Sequence, residues 1–217
     1  MIDNKDPRPK TKDHLAAIIL AAGQSKRMGA LKPLLPFGNK SVIENCIDYL
    51  SSGGVETIVI VLGHRAEAIK ERLSHLPIQF ALNPNPESEM AESIACGVRA
   101  LPLDCEATFI TPADYPAVPE TVVVTLAGNW RNGSARILIP EHAGHGGHPV
   151  LVDLCFRENL LSLDPGRGLR GLFDDNREHV RRVPVDSPFV ARDLDTWDDY
   201  RALHEEIYGV AAPELSG

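Results

Sequence analysis

Short apolar runs alternate along the chain with longer amphipathic stretches, which is the rhythm of repeated strand–helix–strand units. The runs predict strands over 15–20, 57–62, 78–82, 108–111, 137–140, 149–152 and 180–185. The stretches between them predict helices over 41–51, 66–73, 88–101, 119–130 and 153–161. The first strands are almost continuous in Val, Ile and Leu, which is typical of strands covered on both faces. The pattern therefore predicts an α/β fold, with a single doubly wound, mostly parallel sheet and helices on both faces.

Length and composition fit one globular domain. The 217 residues, of which 43% are hydrophobic, predict a domain over 15–209 between flexible polar tails at 1–14 and 210–217. The first tail lacks the apolar core of a secretory signal, and no run approaches the roughly 20 apolar residues of a membrane helix. A net charge of −8 without a long basic run argues against nucleic acid or a membrane as partner. Four widely spaced cysteines predict reduced thiols and a cytoplasmic protein.

The loop after the first predicted strand combines glycines with positive charge. Gly23 and Gly29 allow the backbone to approach a ligand closely, with its amide N–H groups free for phosphate oxygens. Arg27 offers a planar fork for phosphate, and Lys32 a mobile point charge. The spacing is not that of a G-x-x-x-x-G-K-[ST] loop. The loop is thus interpreted as a polyphosphate cradle of another kind, with a solvated basic loop as the competing interpretation.

The segment AAGQSKRMGALKPLLPFG, residues 21–38, resembles the L-A-A-G-x-S-x-R-M-G and K-x-L-L-P signature of the MobA-like nucleotidyltransferases. Within that family it looks most like the molybdenum cofactor cytidylyltransferases. The resemblance implies a Rossmann-like nucleotidyltransferase fold and transfer of CMP from CTP to the terminal phosphate of molybdopterin, with release of pyrophosphate. It implies that Arg27 and the loop amides hold the leaving phosphates and that Lys32 neutralises the α-phosphate. The implied nucleotide-binding residues here are Leu20, Ala21, Ala22, Gly23, Ser25, Arg27, Met28, Gly29 and Lys32.

Two acidic segments suggest a metal site. TPADYP places Asp114 directly after a predicted strand, where a carboxylate suits Mg²⁺, although an aspartate that shapes the turn is the plain alternative. DLDTWDDY predicts the end of a short strand and then a helix capped near Thr196. The two segments are similar to the family's P-A-D-x-P and D-x-D-T-P-E-D-Y, with Trp197 in place of the usual Pro. The resemblance implies Asp114 and Asp195 as Mg²⁺ ligands and Asp114 as catalytic, whereas Asp198 is interpreted as a helix-dipole residue.

The histidine-rich segment HAGHGGHPVLV, residues 142–152, permits two interpretations. His142, His145 and His148 could ligate zinc, but the glycines between them fix no common face and no other zinc motif accompanies them. The segment also resembles the family's G-H-P-V-L. That resemblance implies that His148 and Pro149 border the acceptor pocket.

The segment GRGLRG, residues 166–171, formally matches the dinucleotide motif G-x-G-x-x-G. The residues before it continue a helical pattern instead of the strand that this motif requires, so the match is interpreted as chance. The resemblance instead implies the start of a helix near the acceptor, with Arg167 or Arg170 meeting a phosphate.

The segment NPNPESEMAES, residues 83–93, departs from the family. The resemblance implies that Asn83, Met90 and Ser93 lie near the base and ribose, but Glu89 stands where Gly is usual before Met. Glu92 adds a second carboxylate to this run. Carboxylates beside a triphosphate weaken binding unless they point away or meet a cation.

Several functions remain open from sequence alone. They are GMP transfer to molybdopterin, nucleotidyl transfer to another phosphorylated small molecule, a catalytically idle nucleotide-binding protein, and an NAD-dependent oxidoreductase using GRGLRG. The favoured interpretation implies a nucleoside triphosphate, a molybdopterin-type acceptor and Mg²⁺ as ligands, and it is compatible with a molybdoenzyme or chaperone partner.

Overall fold

The computed structural model describes residues 14–23, 28–85 and 89–213, and it has an α/β architecture. The strands are β1 (Leu15–Ala21), β2 (Pro36–Phe37), β3 (Lys40–Ser41), β4 (Thr57–Leu62), β5 (Gln79–Leu82), β6 (Ala107–Pro112), β7 (Ile137–His142), β8 (His145–Gly146), β9 (Val150–Asp153) and β10 (Val180–Pro184). The helices are α1 (Val42–Ser52), α2 (Ala66–Leu73), α3 (Met90–Ala100), α4 (Glu120–Asn132), α5 (Arg157–Leu161), α6 (Gly168–Asp175) and α7 (Trp197–Tyr208).

The main sheet is mostly parallel, as predicted. Its strand order is β10-β7-β9-β6-β1-β4-β5, with β8 paired to β7. The strands β1, β4, β5 and β6 run parallel, and so do β7 and β10. Strand β9 is antiparallel to both β6 and β7, with Val150 opposite Ile110. The start of β9 therefore lies at the edge where the parallel strands end, which is where ligands bind in such sheets.

Helices cover both faces of the sheet, and alternate residues of β1 show this. Ala17 and Ile19 pack into one cluster with α1, α2 and α4, whereas Ala16 and Ile18 pack into the other with α3, α5 and α6. All four of these β1 residues are fully buried. The central strand is consequently fixed from both sides, which fixes the position of its carboxyl end.

A third apolar cluster lies beside this edge and joins segments that are distant in sequence. Met28, Phe37 and Val42 pack there against Leu194 and Tyr200. Helix α7 begins with a capping box, in which Thr196 Oγ1 accepts from the amide of Asp199 at 3.1 Å and Asp199 accepts from the amide of Thr196 at 2.8 Å. The helix is thus docked onto the short β2–β3 hairpin and the residues that follow the opening loop.

The predicted elements differ from the structure in four places. The predicted helix 153–161 is divided, because the Asp153 carboxylate accepts from the Cys155 amide at 2.9 Å and caps the 3₁₀ turn Leu154–Phe156 before α5. Residues 193–195 are not in a strand, contrary to the prediction. The pairs β2–β3 and β7–β8 were not predicted, since two-residue strands leave no periodic pattern.

Two further expectations concern cysteines and membranes. The cysteines are all free; Cys46, Cys96 and Cys105 are buried, and Cys155 is exposed. In the described part of the chain, no helix has both the length and the apolarity to cross a bilayer.

Gly97 marks a close approach of α3 to the sheet, which makes it a test of the fold. A Cβ at this position would lie 2.5 Å from Cγ2 of Ile18 and 3.0 Å from Cγ2 of Val61. Gly97→Ala is therefore expected to lower the free energy of unfolding by roughly 1–3 kcal/mol, despite the higher helix propensity of Ala. Urea denaturation measures this change.

The matched control is Gly128→Ala within α4. A Cβ there meets nothing within 4 Å, so this substitution is expected to be neutral or to stabilise by up to about 1 kcal/mol. Equal effects of the two substitutions would contradict the close packing of α3 on β1.

Candidate functional site

Lys32 lies at the edge of the sheet where the parallel strands end, called here the ligand-binding edge. It begins the 3₁₀ turn Lys32–Leu34, and only 9% of its surface is exposed. Its Nζ donates to Asp114 Oδ2 at 3.0 Å and to Asp195 Oδ1 at 3.3 Å. One ammonium group thus contacts two carboxylates that lie 82 and 163 residues away in sequence.

The backbone places both aspartates at this point. Asp114 follows β6, and the preceding Ala113 amide donates to the carbonyl of Leu20 at 3.0 Å. The Leu194 amide donates to the carbonyl of Asp114 at 3.1 Å. The end of β1, the turn after β6 and the segment before α7 are therefore joined by backbone hydrogen bonds, and the position of the two carboxylates does not depend on side-chain contacts alone.

Asp193 and Tyr115 belong to the same acidic group, although sequence reasoning missed them as site residues. Desolvation raises the pKa of Asp193, and the carboxylates of Asp195 and Asp114 raise it further. Burial raises the pKa of Tyr115 well above its usual range, with the three aspartates adding to the effect. The D-L-D alternation gives only a weak signal, because it places the two aspartates together only when Leu194 between them is buried, as it is in the structure.

The charge of this group favours a cation. Among the described residues, three carboxylates, those of Asp114, Asp193 and Asp195, lie near one ammonium, that of Lys32, so this part of the site carries excess negative charge. Asp114 Oδ1 is buried and has no hydrogen-bond partner among the described residues. An unpartnered buried carboxylate oxygen is unfavourable, and a divalent cation with oxygen ligands would satisfy it. The donor set therefore fits Mg²⁺ or a similar hard cation.

The opening loop is described on both sides of the predicted cradle. Ala21 and Ala22 are buried, Leu20 is half-buried, and Gly23 is exposed at the edge beyond β1. Gly29 has a φ of +65°, a conformation that favours glycine. Ser25 and Arg27, predicted to bind phosphate, lie outside the described residues.

The residues predicted beside the base lie in two places. Asn83 and Ser93 are both buried, and the side-chain Nδ2 of Asn83 donates to Ser93 Oγ at 2.9 Å. Asn83 Oδ1 also accepts from the Asn85 amide at 2.9 Å, so this side chain fixes the turn after β5 against α3. Met90, by contrast, is half exposed and faces a large cavity.

The two glutamates that depart from the family pattern, Glu89 and Glu92, lie in different surroundings. Glu92 accepts from Arg99 at 3.2 Å along the exposed side of α3. Glu89 lines the cavity with Met90 and Ala91. The predicted repulsion between the Glu92 carboxylate and a triphosphate is thus weaker, because Glu92 is paired with Arg99 on its own helix.

The cavity occupies about 1130 Å³ at the ligand-binding edge. Its wall includes Tyr115, which follows Asp114, so the cavity adjoins the acidic group. Apolar side chains from β7, β9, β10 and α6 alternate with arginines around it. These residues are Ile139, Val150, Val180, Leu169 and Phe173, with Arg167, Arg170, Arg177 and Arg182.

Arg170 differs from the other three cavity arginines. Arg167 binds the Asp175 carboxylate through two hydrogen bonds of 3.0 and 2.8 Å. Arg177 pairs with Asp174 at 3.1 Å and Arg182 with Glu141 at 2.8 Å. Arg170 is exposed to the cavity and has no ion-pair partner within the described ranges. Of the two arginines predicted to meet an acceptor phosphate, Arg170 therefore has the freer guanidinium.

His148 lies between the acidic group and the cavity. Its Nδ1 is 3.4 Å from the carbonyl oxygen of Ile110, and its ring packs edge-on against Tyr115 with centroids 5.0 Å apart. Burial lowers the pKa of this imidazole and favours the neutral ring. The peptide bond to Pro149 is cis, and His148 lines the cavity as the chain enters β9.

The zinc alternative is not supported by the arrangement of the histidines. His142 Nδ1 bonds the carbonyl oxygen of Val185 at 3.0 Å, and His145 lies in the exposed strand β8. Over the described ranges, only His14, Asp104 and Cys105, at the opposite end of the sheet, bring three potential ligand atoms within 4.8 Å of one another. Burial and Asp104 raise the pKa of the Cys105 thiol, which disfavours the thiolate that metal binding needs.

The structure confirms that GRGLRG lacks the preceding strand that a dinucleotide-binding G-x-G-x-x-G motif requires. Helix α5 precedes it, whereas dinucleotide binding requires a strand there, and α6 begins inside the motif at Gly168. The segment instead supplies residues to the cavity wall.

Comparison with known proteins bears on this site. Residues 17–183 match the model of the MobA-like NTP transferase domain. The chain is 27% identical over 203 residues to the nicotine blue oxidoreductase of Paenarthrobacter nicotinovorans, covering 87% of this chain and 96% of that protein. It is 26% identical over 194 residues to the molybdenum cofactor cytidylyltransferase of Escherichia coli, covering 87% and 94%.

A similar fold is known from crystals. Rv0371c from Mycobacterium tuberculosis superposes with a TM-score of 0.80 at 25% identity, over 90% of this chain and all of the other.

The contact of Lys32 with two carboxylates generates a stability prediction. Lys32→Met leaves partly buried carboxylates without their cation, and we expect it to lower the free energy of unfolding by roughly 1–3 kcal/mol. Adding Asp114→Asn to this variant is expected to recover part of that loss, because the repulsion between carboxylates decreases. Urea denaturation in metal-free buffer measures both changes.

Lys40→Met is the matched control, since Lys40 pairs with Asp48 at the surface with both side chains nearly half exposed. Its expected effect is within about 0.5 kcal/mol. If Lys32→Met proves equally mild, the ammonium does not hold the acidic group together.

Proposed function

The chain belongs to the MobA-like NTP transferase family, and from this premise we propose that it is a Mg²⁺-dependent cytidylyltransferase acting on a molybdopterin-type acceptor. A terminal phosphate oxygen of the acceptor attacks the α-phosphorus of CTP. The bond from that phosphorus to the bridging oxygen breaks, and pyrophosphate leaves with the electron pair. The observation that carries the proposal is the contact of Lys32 with Asp114 and Asp195 beside a large cavity.

Lys32 supplies the positive charge nearest to the reacting phosphorus in this scheme. Its ammonium is buried, so its interaction with a phosphoryl group is only weakly screened by water. Negative charge grows on the α-phosphate oxygens in the transition state, and a fixed cation there lowers the barrier. Arg27 and the amides of the opening loop are assigned to the β- and γ-phosphates.

Asp114 and Asp195 would hold the Mg²⁺ ion. The unpartnered Oδ1 of Asp114 and the excess negative charge around Lys32 support this assignment. When bound, the ion would offset phosphate charge and assist the leaving group. Asp193 adds negative charge nearby and strengthens the attraction for a cation.

The cavity has the size and chemistry expected for the acceptor. Phe173 and Leu169 offer apolar surface to a flat heterocycle, and the guanidinium of Arg170 is available for a phosphate. The neutral ring of His148 and the hydroxyl of Tyr115 stand between this cavity and Asp114. An acceptor lying in the cavity would thus direct its phosphate towards the acidic group.

The first assignment experiment is a pyrophosphate-release assay with CTP, GTP, ATP and UTP, each with Mg²⁺ and molybdopterin. Turnover with CTP supports the proposal, and turnover with GTP moves the protein to guanylyl transfer. The similarity to nicotine blue oxidoreductase adds a second assay, in which NADH or NADPH oxidation by a planar heteroaromatic substrate is followed. Hydride transfer without pyrophosphate release would overturn the proposal.

Asp114→Asn tests the metal assignment. The amide keeps the shape of the side chain but loses the charge, so we expect kcat to fall by about 100-fold or more at any Mg²⁺ concentration. Asp198→Asn is the matched control, since Asp198 is 96% exposed and pairs with Arg201 at 3.1 Å. Full recovery of Asp114→Asn in modest excess Mg²⁺ would make Asp114 a purely structural residue.

Arg170→Ala tests the acceptor assignment. It removes the available guanidinium, and we expect the acceptor KM to rise about tenfold or more while the nucleotide KM stays unchanged. Arg167→Ala is the comparison, because that guanidinium is already neutralised by Asp175 and a smaller rise is expected. A larger effect at Arg167 than at Arg170 would reverse the assignment.

A further inference from the structure

The indole of Trp197 connects two parts of the site. Trp197 is the first residue of α7 and stands two positions after Asp195. Its Nε1 donates to the carbonyl oxygen of Met28 at 3.1 Å, across 169 residues of sequence. Met28 is the first described residue after the centre of the opening loop. One side-chain hydrogen bond therefore ties that loop to the helix that follows a proposed metal ligand.

The tied segment ends at Lys32. The Met28 side chain is buried in the cluster with Leu194 and Tyr200, and Gly29 then turns with a positive φ. The Lys32 amide donates to the carbonyl of Ala30 at 2.9 Å, so residues 30–32 form a tight turn. Displacement of Met28 would consequently move Lys32 relative to Asp195.

The donor is itself held in place. The Trp197 ring packs edge-on against Tyr200 with centroids 5.9 Å apart, and the guanidinium carbon of Arg201 lies 5.9 Å from the ring centre. The capping box of Thr196 and Asp199 fixes the backbone on which the indole stands. A side chain fixed in this way can set the position of a loop, because its own freedom is already restricted.

We propose that Trp197 is a positioning residue, which sets the segment 28–32 against Asp195 and thereby aligns Lys32 for the nucleotide phosphates. This role rests on the proposed function, since it assigns the alignment to nucleotide binding and transfer. Trp197 acts through Met28 and Lys32 and need not touch the substrate.

Trp197→Phe is the decisive variant, because it keeps an aromatic ring against Tyr200 and removes the N–H donor. Hydrogen exchange of the peptide covering residues 28–35 is measured first, in protein without nucleotide. We expect exchange in this peptide to become roughly fivefold faster, as for the loss of one hydrogen bond, with the core strands unchanged. Glu205→Ala, at an exposed position of the same helix, keeps both the indole donor and its ring contacts and is expected to exchange like the unmodified protein.

Nucleotide binding is then measured by calorimetry with CTP and Mg²⁺. For Trp197→Phe we expect the Kd of CTP to rise about fivefold or more and the acceptor KM to stay constant. Unchanged exchange in 28–35, or faster exchange with an unchanged CTP Kd, would overturn the positioning role. If the unmodified protein binds neither CTP nor any other nucleoside triphosphate, the proposed function and the alignment role both fall, and the exchange result still decides whether the tie exists.

Discussion

The ammonium of Lys32 between Asp114 and Asp195 is the interaction on which the rest of the site depends. Without a cation at this point, several carboxylates would repel one another across a partly desolvated edge of the sheet. The backbone hydrogen bonds from Ala113 to Leu20 and from Leu194 to Asp114 keep these groups close regardless. The fold thus assembles negative charge, and the function follows from which cations compensate it. Lys32 is the permanent one, and a divalent ion bound with substrate would be the second.

The sheet explains why residues so far apart in sequence meet here. Parallel strands deliver their carboxyl ends to one edge, so the loops after β1 and β6 become neighbours. Helix α7 then returns the end of the chain to this edge through the cluster that contains Met28, Phe37 and Tyr200. The large cavity lies beyond β6, where β9, β7 and β10 continue the sheet.

Much of this arrangement could be predicted from the sequence, for identifiable reasons. The β1 run and the glycine-rich loop after it form a local pattern, so β1 and the place of Lys32 beyond its end could be predicted. Asp114 closely follows the run of β6, so its place at the same edge of the sheet could be predicted as well. Asp193 was missed because its role depends on a buried Leu194, which is known only once the segment is packed. The sequence also could not show that Arg167 is ion-paired whereas Arg170 is not, because the ion pair of Arg167 with Asp175 depends on the helix geometry of α6. The division of the helix at Asp153 reflects a local cap that competes with the helical pattern.

The antiparallel course of β9 has an evolutionary consequence. Because β9 starts at the ligand-binding edge, His148 enters the cavity from a turn that is independent of the turns carrying Lys32 and Asp114. Changes in that turn, in β10 or in α6 can reshape the cavity without shifting β1 or β6. Under the proposed function, a scaffold of this kind can change its acceptor through substitutions on one side of the sheet, while the residues assigned to the phosphates on the other side stay the same. Substrate range is then expected to diversify faster than reaction type.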